Sequence, residues 1–259
     1  TDGYVEGVDY NVDYDTGRIS RTASSRIPTF DETLANYMYV EFAYCGIKDG
    51  QTCVVSYHYV DSNYYGAVWC DNYNVVQEHY GSAWNSGTGA IQSQLSVAAY
   101  IAAQNGLGGC YCVAVPGVYS GNSTTYTLSN WTSAFDALTI VDGVDIVVPL
   151  SGDASVWQLA ISHINAMKEN QDERVAIIGA NGTTNVVASS TMIADAESLA
   201  NEDVWMVSPS TFRMRNPVTN VVDVVAGYYA AAAVAGYESG TPQYTPLTQK
   251  VISGFYSAN

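Results

Sequence analysis

Between Arg174 and Phe255 the chain switches twice between a short apolar run and a helical pattern, and this alternation narrows the possible folds more than any other stretch. Arg174-Val-Ala-Ile-Ile-Gly179 suits a buried strand of a parallel sheet, stopped by Gly179-Ala-Asn-Gly182. Met192, Ile193, Ala196 and Leu199 then recur at helical spacing, with Ser189 or Ser190 placed to cap the helix. Asp203 to Pro209 reads as the next strand, closed by a proline that cannot donate to a ladder. From Val224 to Tyr237 alanine, valine, glycine and tyrosine predominate, which predicts a thin helix able to lie close against a sheet or a neighbouring helix. Two such units in succession predict an α/β domain.

The same rhythm extends back to residue 90. Helices are predicted over Gln92–Gln104, ending at Asn105-Gly106, and over Trp131–Ile140 and Val156–Met167; strands are predicted over Cys110–Val115 and Val144–Leu150. The expectation is a layered sheet of about four central strands with helices on both faces. Ser82–Gly89 is the one stretch that reads as a linker.

The first part of the chain has a different texture. Val8, Tyr10, Val12 and Tyr14 alternate with Asp9, Asn11, Asp13 and Asp15, which predicts a half-buried strand that Asp15-Thr-Gly17 turns into a second, Arg18–Arg21. Tyr37–Tyr44 and Thr52–Val60 are two more aromatic and β-branched runs around Lys48-Asp-Gly50, and 12 of the 21 tyrosines precede residue 81. Tyrosine suits strands whose outer face is half wet, because the ring packs while the hydroxyl reaches water. A small antiparallel β-domain is expected over residues 1–75, followed by the α/β domain over 76–259. The acidic ladder does not fit a calcium loop, since Gly17 falls one position late for EF-hand spacing and apolar residues occupy the intervening positions.

Charge limits the partners. Acidic residues outnumber basic ones 25 to 9 for a formal charge of −16, a balance that repels phosphate backbones, so no nucleic-acid partner is expected. Val224–Glu238 falls short of the ~20 apolar residues a spanning helix requires, and Thr1-Asp-Gly-Tyr4 lacks a secretory start, so no membrane partner is expected either. Five cysteines, Cys45, Cys53, Cys70, Cys110 and Cys112, are an odd number in a chain too large to need staples; free thiols are expected. Cys110 and Cys112 would share one strand face, but no second pair at zinc spacing accompanies them. The sequons at Asn122, Asn130 and Asn181 read as chance matches in a chain with no sign of secretion.

A catalytic centre does not emerge. Gly179-x-x-Gly182 lacks the dinucleotide spacing and the Walker lysine, and Ser151 with Asp153 has no nucleophile elbow. His58, His79 and His163 fit structural or surface roles, and the pairs Asp172-Glu173 and Glu202-Asp203 read as solvated charge before strands. No cofactor and no metal are expected.

Several segments in the same order resemble bacteriophage contractile tail sheath proteins. Gly7 to Arg21 is similar to the "G-x-D-Y-x-V-D-Y-x-T-G-x-I" start of the family's accessory β-domain. Tyr80-Gly81, Ser93–Ala99 with Asn105-Gly106, Val147–Leu150, Arg174–Gly179, Val207–Phe212, Asn216–Asn220, Gly227–Gly236 and Pro246–Gly254 look like successive sheath segments. The resemblance implies a structural protein without catalytic residues, whose copies stack as hexameric rings around a tail tube and contract to drive the tube through the host envelope. It implies a place in the virion tail, assembly in the bacterial cytoplasm, and self, tail tube, baseplate and tail terminator as partners.

Family members carry terminal arms and a further C-terminal domain that find no match here, which leads to the expectation of a central piece, monomeric or weakly associating. Arg18, Arg21, Arg26, Arg213, Arg215 and Lys250 are the scarce cations such contacts could use, and Arg213, Arg215 and Lys250 are the interface candidates. The competing readings are an α/β hydrolase or nucleotide-binding enzyme, requiring a cleft near Ser151 or Gly179, and a carbohydrate-binding cell-surface adhesin, favoured by the tyrosine-rich strands and the sequons.

Overall fold

The computed structural model describes residues 8, 10–13, 18–22, 38–40, 57–59, 65–120, 123–180, 188–242, 245–248 and 250–258. The chain divides into two compact units, Thr1–Tyr59 and Val60–Asn259. In the first, β1 (Tyr10–Asp13) pairs antiparallel with β2 (Arg18–Arg21), and β3 (Met38–Val40) with β4 (Tyr57–Tyr59). The first pair falls in the alternating stretch and the second in the two aromatic and β-branched runs; the turns at Asp15–Gly17 and Lys48–Gly50, and the residues Arg26, Cys45 and Cys53, lie outside the described residues.

The second unit opens on a ribbon and two helices. β5 (Val68–Cys70) leads into α1 (Tyr73–Tyr80), where Asn72 caps by accepting from the amides of Asn74 and Val75. α2 (Gln94–Gln104) begins at the Ser93 cap and ends, as expected, at Asn105 before Gly106, whose φ of +113° suits only glycine without strain. Between these helices, Ser82–Gly89 is not a linker. Ala83 and Trp84 are buried, Trp84 bridges to Ile91, and Gln92 donates to the Ala83 carbonyl, so the stretch is a core-packed turn. Small polar residues read as a spacer because Trp84 is flanked by serine, asparagine and glycine that serve the turn itself.

β6 (Cys110–Cys112) was expected among the central parallel strands, but it pairs antiparallel with β5. A short hairpin follows, β7 (Val118–Ser120) with β8 (Ser123–Thr125), and then α3 (Leu128–Thr139). The α3 helix starts earlier than the apolar period alone suggests, because Thr127 and Asn130 form a reciprocal capping box. The parallel sheet has three strands in the order β11-β10-β9: β9 (Ile146–Val147), β10 (Val175–Gly179) and β11 (Val204–Val207). α4 (Ala154–Glu169), capped by Asp153, places Val156, Trp157, Ala160 and Ile164 in a core with Ala176, Ile178 and Val204. α5 (Ser189–Leu199) is not capped by a serine. Ala188 occupies the cap position, and Ser189 is already within the helix.

The largest departure lies after β11. Val224–Ala226, read as the beginning of the final helix, falls in strand β13 (Val222–Ala226), paired antiparallel with β12 (Thr211–Arg215). β-Branched valines fit a pleated half-buried surface better than a helix. Asn216 holds the turn: its Oδ1 accepts from the amides of Val218 and Thr219, and its Nδ2 donates to the Gly89 carbonyl and to Asp223. β14 (Phe255–Ala258) completes a second sheet in the order β13-β12-β14. α6 (Gly227–Ser239) starts only at Gly227 and lies against α2 so closely that a Cβ on Gly236 would sit 2.4 Å from the Ala102 carbonyl oxygen. Both α2 and α6 contribute to one core with Met214 and Val225 of the antiparallel sheet. No helix among the described residues is long and apolar enough to cross a membrane.

Candidate functional site

Ligands on α/β sheets usually bind beyond the carboxyl ends of the strands. Here the chain's own backbone occupies that place at β10. A Cβ on Gly179 would lie 2.3 Å from the carbonyl carbon and oxygen of Gly227, and the Gly227 amide donates to Ala180 O at 2.9 Å and Ser210 O at 2.8 Å. The first residue of α6 is thus fastened over the end of the strand. Beyond β9, Ser151 and Asp153 act as local caps: Ser151 Oγ accepts from the Asp153 amide, Asp153 Oδ1 accepts from the Ser155 amide, and Trp157 Nε1 donates to Ser151 O. Among the described residues no group of three or more His, Cys, Asp or Glu is placed to hold a metal ion.

His163 is buried, as its helical pattern implied, and it faces a group the sequence did not reveal. The side chain of Arg174 is fully buried, and its Nη1 lies 3.2 Å from His163 Nε2. Because a guanidinium only donates, Nε2 is the acceptor and the ring proton resides on Nδ1. Arg174 also donates to Leu138 O at 3.0 Å, to Val141 O at 2.6 Å and through Nε to Asp172 at 3.1 Å, and pairs with Asp172 at 2.5 Å. Asp172 is therefore not simply solvated charge. Nor are Glu202 and Asp203, which bind Lys168 at 2.9 and 2.7 Å and join the end of α4 to the start of β11.

Burial and, after it, the Arg174 charge push the His163 pKa below its ordinary 6.5, against a smaller opposing pull from Asp136 and Asp172. Below that value the unfolded chain binds a proton that the folded chain resists, so the stability present above it is lost as the pH falls towards the folded-state pKa. Urea midpoints measured from about pH 7.5 down to about pH 5 are expected to fall in the native chain and to fall less in His163→Gln. Equal slopes would show that His163 contributes nothing to the pH dependence.

Of the interface candidates, Arg213 and Arg215 share the outer face of β12, while Phe212 and Met214 turn inward and Phe212 meets Phe255 at 5.1 Å between ring centroids. Val224 stands opposite Arg213 and Val222 opposite Arg215 in the register; both valines are 42% exposed. Tyr256 of β14 is 60% exposed on the same face, and the Arg215 guanidinium lies 4.8 Å from its ring centroid. Arg215 is held in place: Nε donates to Tyr256 Oη at 2.7 Å, and Nη1 donates to Asn220 O and Oδ1 at 2.9 and 3.0 Å. Arg213 has no ion-pair partner among the described residues. Lys250 is exposed on the segment leading to β14. The outer face is thus an exposed valine and tyrosine surface carrying two cations on an otherwise acidic chain.

No family model matches the chain. The tail sheath protein of Mycobacterium phage Bxz1 is 31% identical to it over 252 residues, 97% of this chain and 42% of that protein. The chain is thus similar to a bacteriophage tail sheath protein along nearly its whole length, and it spans about two fifths of the length of that relative. That relative is, by its name, a component of a phage tail. Two features of the chain escaped sequence reasoning. The Arg174 network was hidden because its carbonyl partners, Leu138 of α3 and Val141 just beyond it, lie over thirty residues away; the outer valine face was hidden because Val224 was assigned to a helix.

Proposed function

We propose that the chain is part of a structural subunit of a contractile tail sheath, which polymerises as stacked hexameric rings around the tail tube and contracts to drive the tube through the host envelope. The observation that carries this reading is the 31% identity to a tail sheath protein across 97% of the chain. The filled position at the end of β10 agrees with a non-enzymatic role, since the place where an α/β sheet would take a substrate holds Gly227 instead. In this reading the antiparallel strands of the first unit form the accessory β-domain, and tail tube, baseplate and tail terminator are the further partners. Electron microscopy of the full-length protein tests it: tubes of uniform diameter are expected, and only dispersed particles under assembly conditions would overturn it.

We assign subunit contact to the face bearing Arg213 and Arg215, with Lys250 as a third candidate. Arg213 has no ion-pair partner among the described residues while the chain carries a formal charge of −16, so a second copy can supply an acidic surface for it. An exposed ion pair is worth ~0–1 kcal/mol, so only repetition around a ring makes the contact count. Reversing Arg213 and Arg215 to glutamate in the full-length protein is expected to reduce tube assembly severely at low salt, with a smaller difference from the native protein at high salt. Assembly unchanged at both salt concentrations would remove these residues from the interface.

A further inference from the structure

The β5–β6 ribbon gathers three thiols on its inner side. Trp69 and Tyr111 meet edge to face on the outside with ring centroids 5.0 Å apart, whereas Cys70, Cys110 and Cys112 face a small core with Val76 of α1 and Ala99 of α2. All three are free; Cys70 and Cys112 are buried and Cys110 is half-buried. Cys70 stands directly opposite Cys110 in the antiparallel register, and Cys110 Sγ lies 3.6 Å from Cys112 Sγ.

Geometry ranks the possible bonds. Opposed residues of an antiparallel pair have Cα atoms ~4.5–5.5 Å apart, well within the ~4.4–6.8 Å that disulfides accept. Residues two apart along one strand are separated by about 6.6 Å, near the far limit. Cys70 and Cys110 are thus the pair whose backbone spacing best suits a disulfide.

We propose that Cys70, Cys110 and Cys112 form an oxidation-sensitive clasp, in which a peroxide turns Cys70 and Cys110 into a cross-strand disulfide that ties β5 to β6. Cys110, the most open of the three, attacks the peroxide as thiolate; the O–O bond breaks, an S–O bond forms, and the departing hydroxide becomes water. Cys70 then attacks the resulting sulfenic sulfur as thiolate, the S–S bond forms, and the expelled hydroxide takes up the proton that Cys70 released. Two thiols lose two electrons and two protons, and one peroxide becomes two waters. Cys112 stays a thiol: hydrogen bonds from Cys112 hold Cys70 and Cys110 below the ordinary thiol range, while Cys112 itself is pushed far above it. The setting suits the chemistry, because a virion tail persists outside the cell, where reducing thiols no longer oppose disulfides.

Peptide mapping of the full-length protein and of tails containing it tests the clasp, with millimolar hydrogen peroxide followed by alkylation in denaturant. A peptide pair joining Cys70 to Cys110, about 2 Da below the sum of its reduced parts, is expected, with Cys112 alkylated. The thermal midpoint is expected to rise by about 5 °C or more over the dithiothreitol-treated protein. Cys110→Ser should abolish the link; Cys112→Ala should keep it but slow its formation about tenfold. Three fully alkylated thiols after peroxide, a link confined to Cys110 and Cys112 or running to Cys45 or Cys53, or Cys110 oxidised onward without any link would each overturn the proposal. The mapping of the native chain decides without any variant that might misfold.

Discussion

Arg174→Met is expected to destabilise the second unit by about 4 kcal/mol. The substitution keeps an apolar stem of similar reach but removes every donor from a fully buried position. Val141 O would then lie unpaired just beyond α3, at about 1–3 kcal/mol, Leu138 O would keep only the backbone amides of the helix end, and His163 would lose the donor at its Nε2. Asp172 adds less to the loss, because its side chain is 32% exposed and can rehydrate. Asp172→Asn is accordingly expected to cost only about 1 kcal/mol, and Arg174→Lys an intermediate amount, since one ammonium cannot replace the planar fork. All five tryptophans follow residue 60, so urea unfolding followed by tryptophan fluorescence reports on this unit alone. A loss below about 1 kcal/mol for Arg174→Met would show that the network is not what holds α3, α4 and β10 together.

The second large effect is expected at Gly179. Gly179→Ala adds one methyl group, yet the methyl would stand 2.3 Å from the carbonyl of Gly227 and 2.4 Å from the Tyr228 amide nitrogen. Neither neighbour can give easily, because the Gly227 amide is engaged by both Ala180 O and Ser210 O and the following turns of α6 are buried against α2. Overpacking against backbone is expected to cost about 3 kcal/mol, at the upper end for a single added methyl group. Gly108→Ala is the matching control: nothing lies within 4 Å of its added Cβ and its φ is not positive, so a change within about 0.5 kcal/mol is expected. Equal urea midpoints for the two variants would mean that α6 can move off the end of β10, reopening the position where a ligand would bind.

These sites show where the sequence is informative and where it is not. The helical pattern within Val156–Met167 announces α4, because helical contacts lie within four residues, while its Asp153 cap was seen only in the structure. The unbroken apolar run 175–178 announces a doubly covered strand for the same local reason. The run from Val224 to Tyr237 misleads because valine–alanine stretches satisfy both periods; whether Val224 is helical or extended depends on Arg213, eleven residues earlier, being available to pair with it. Likewise, a C-x-C strand gives no hint of its partner, and only the register places Cys70 against Cys110.

The sequence alone determined that this chain alternates apolar helices and strands after a tyrosine-rich β-region, that it is strongly acidic, and that its segments follow tail-sheath order. Tertiary structure alone decided which strands pair, that Gly227 closes the end of β10, and that a guanidinium ties α3 to β10 from within. The division follows from range: periodicity and capping are set by residues within a turn of one another, while pairing, close approach and buried polar partnership depend on residues that only folding brings together.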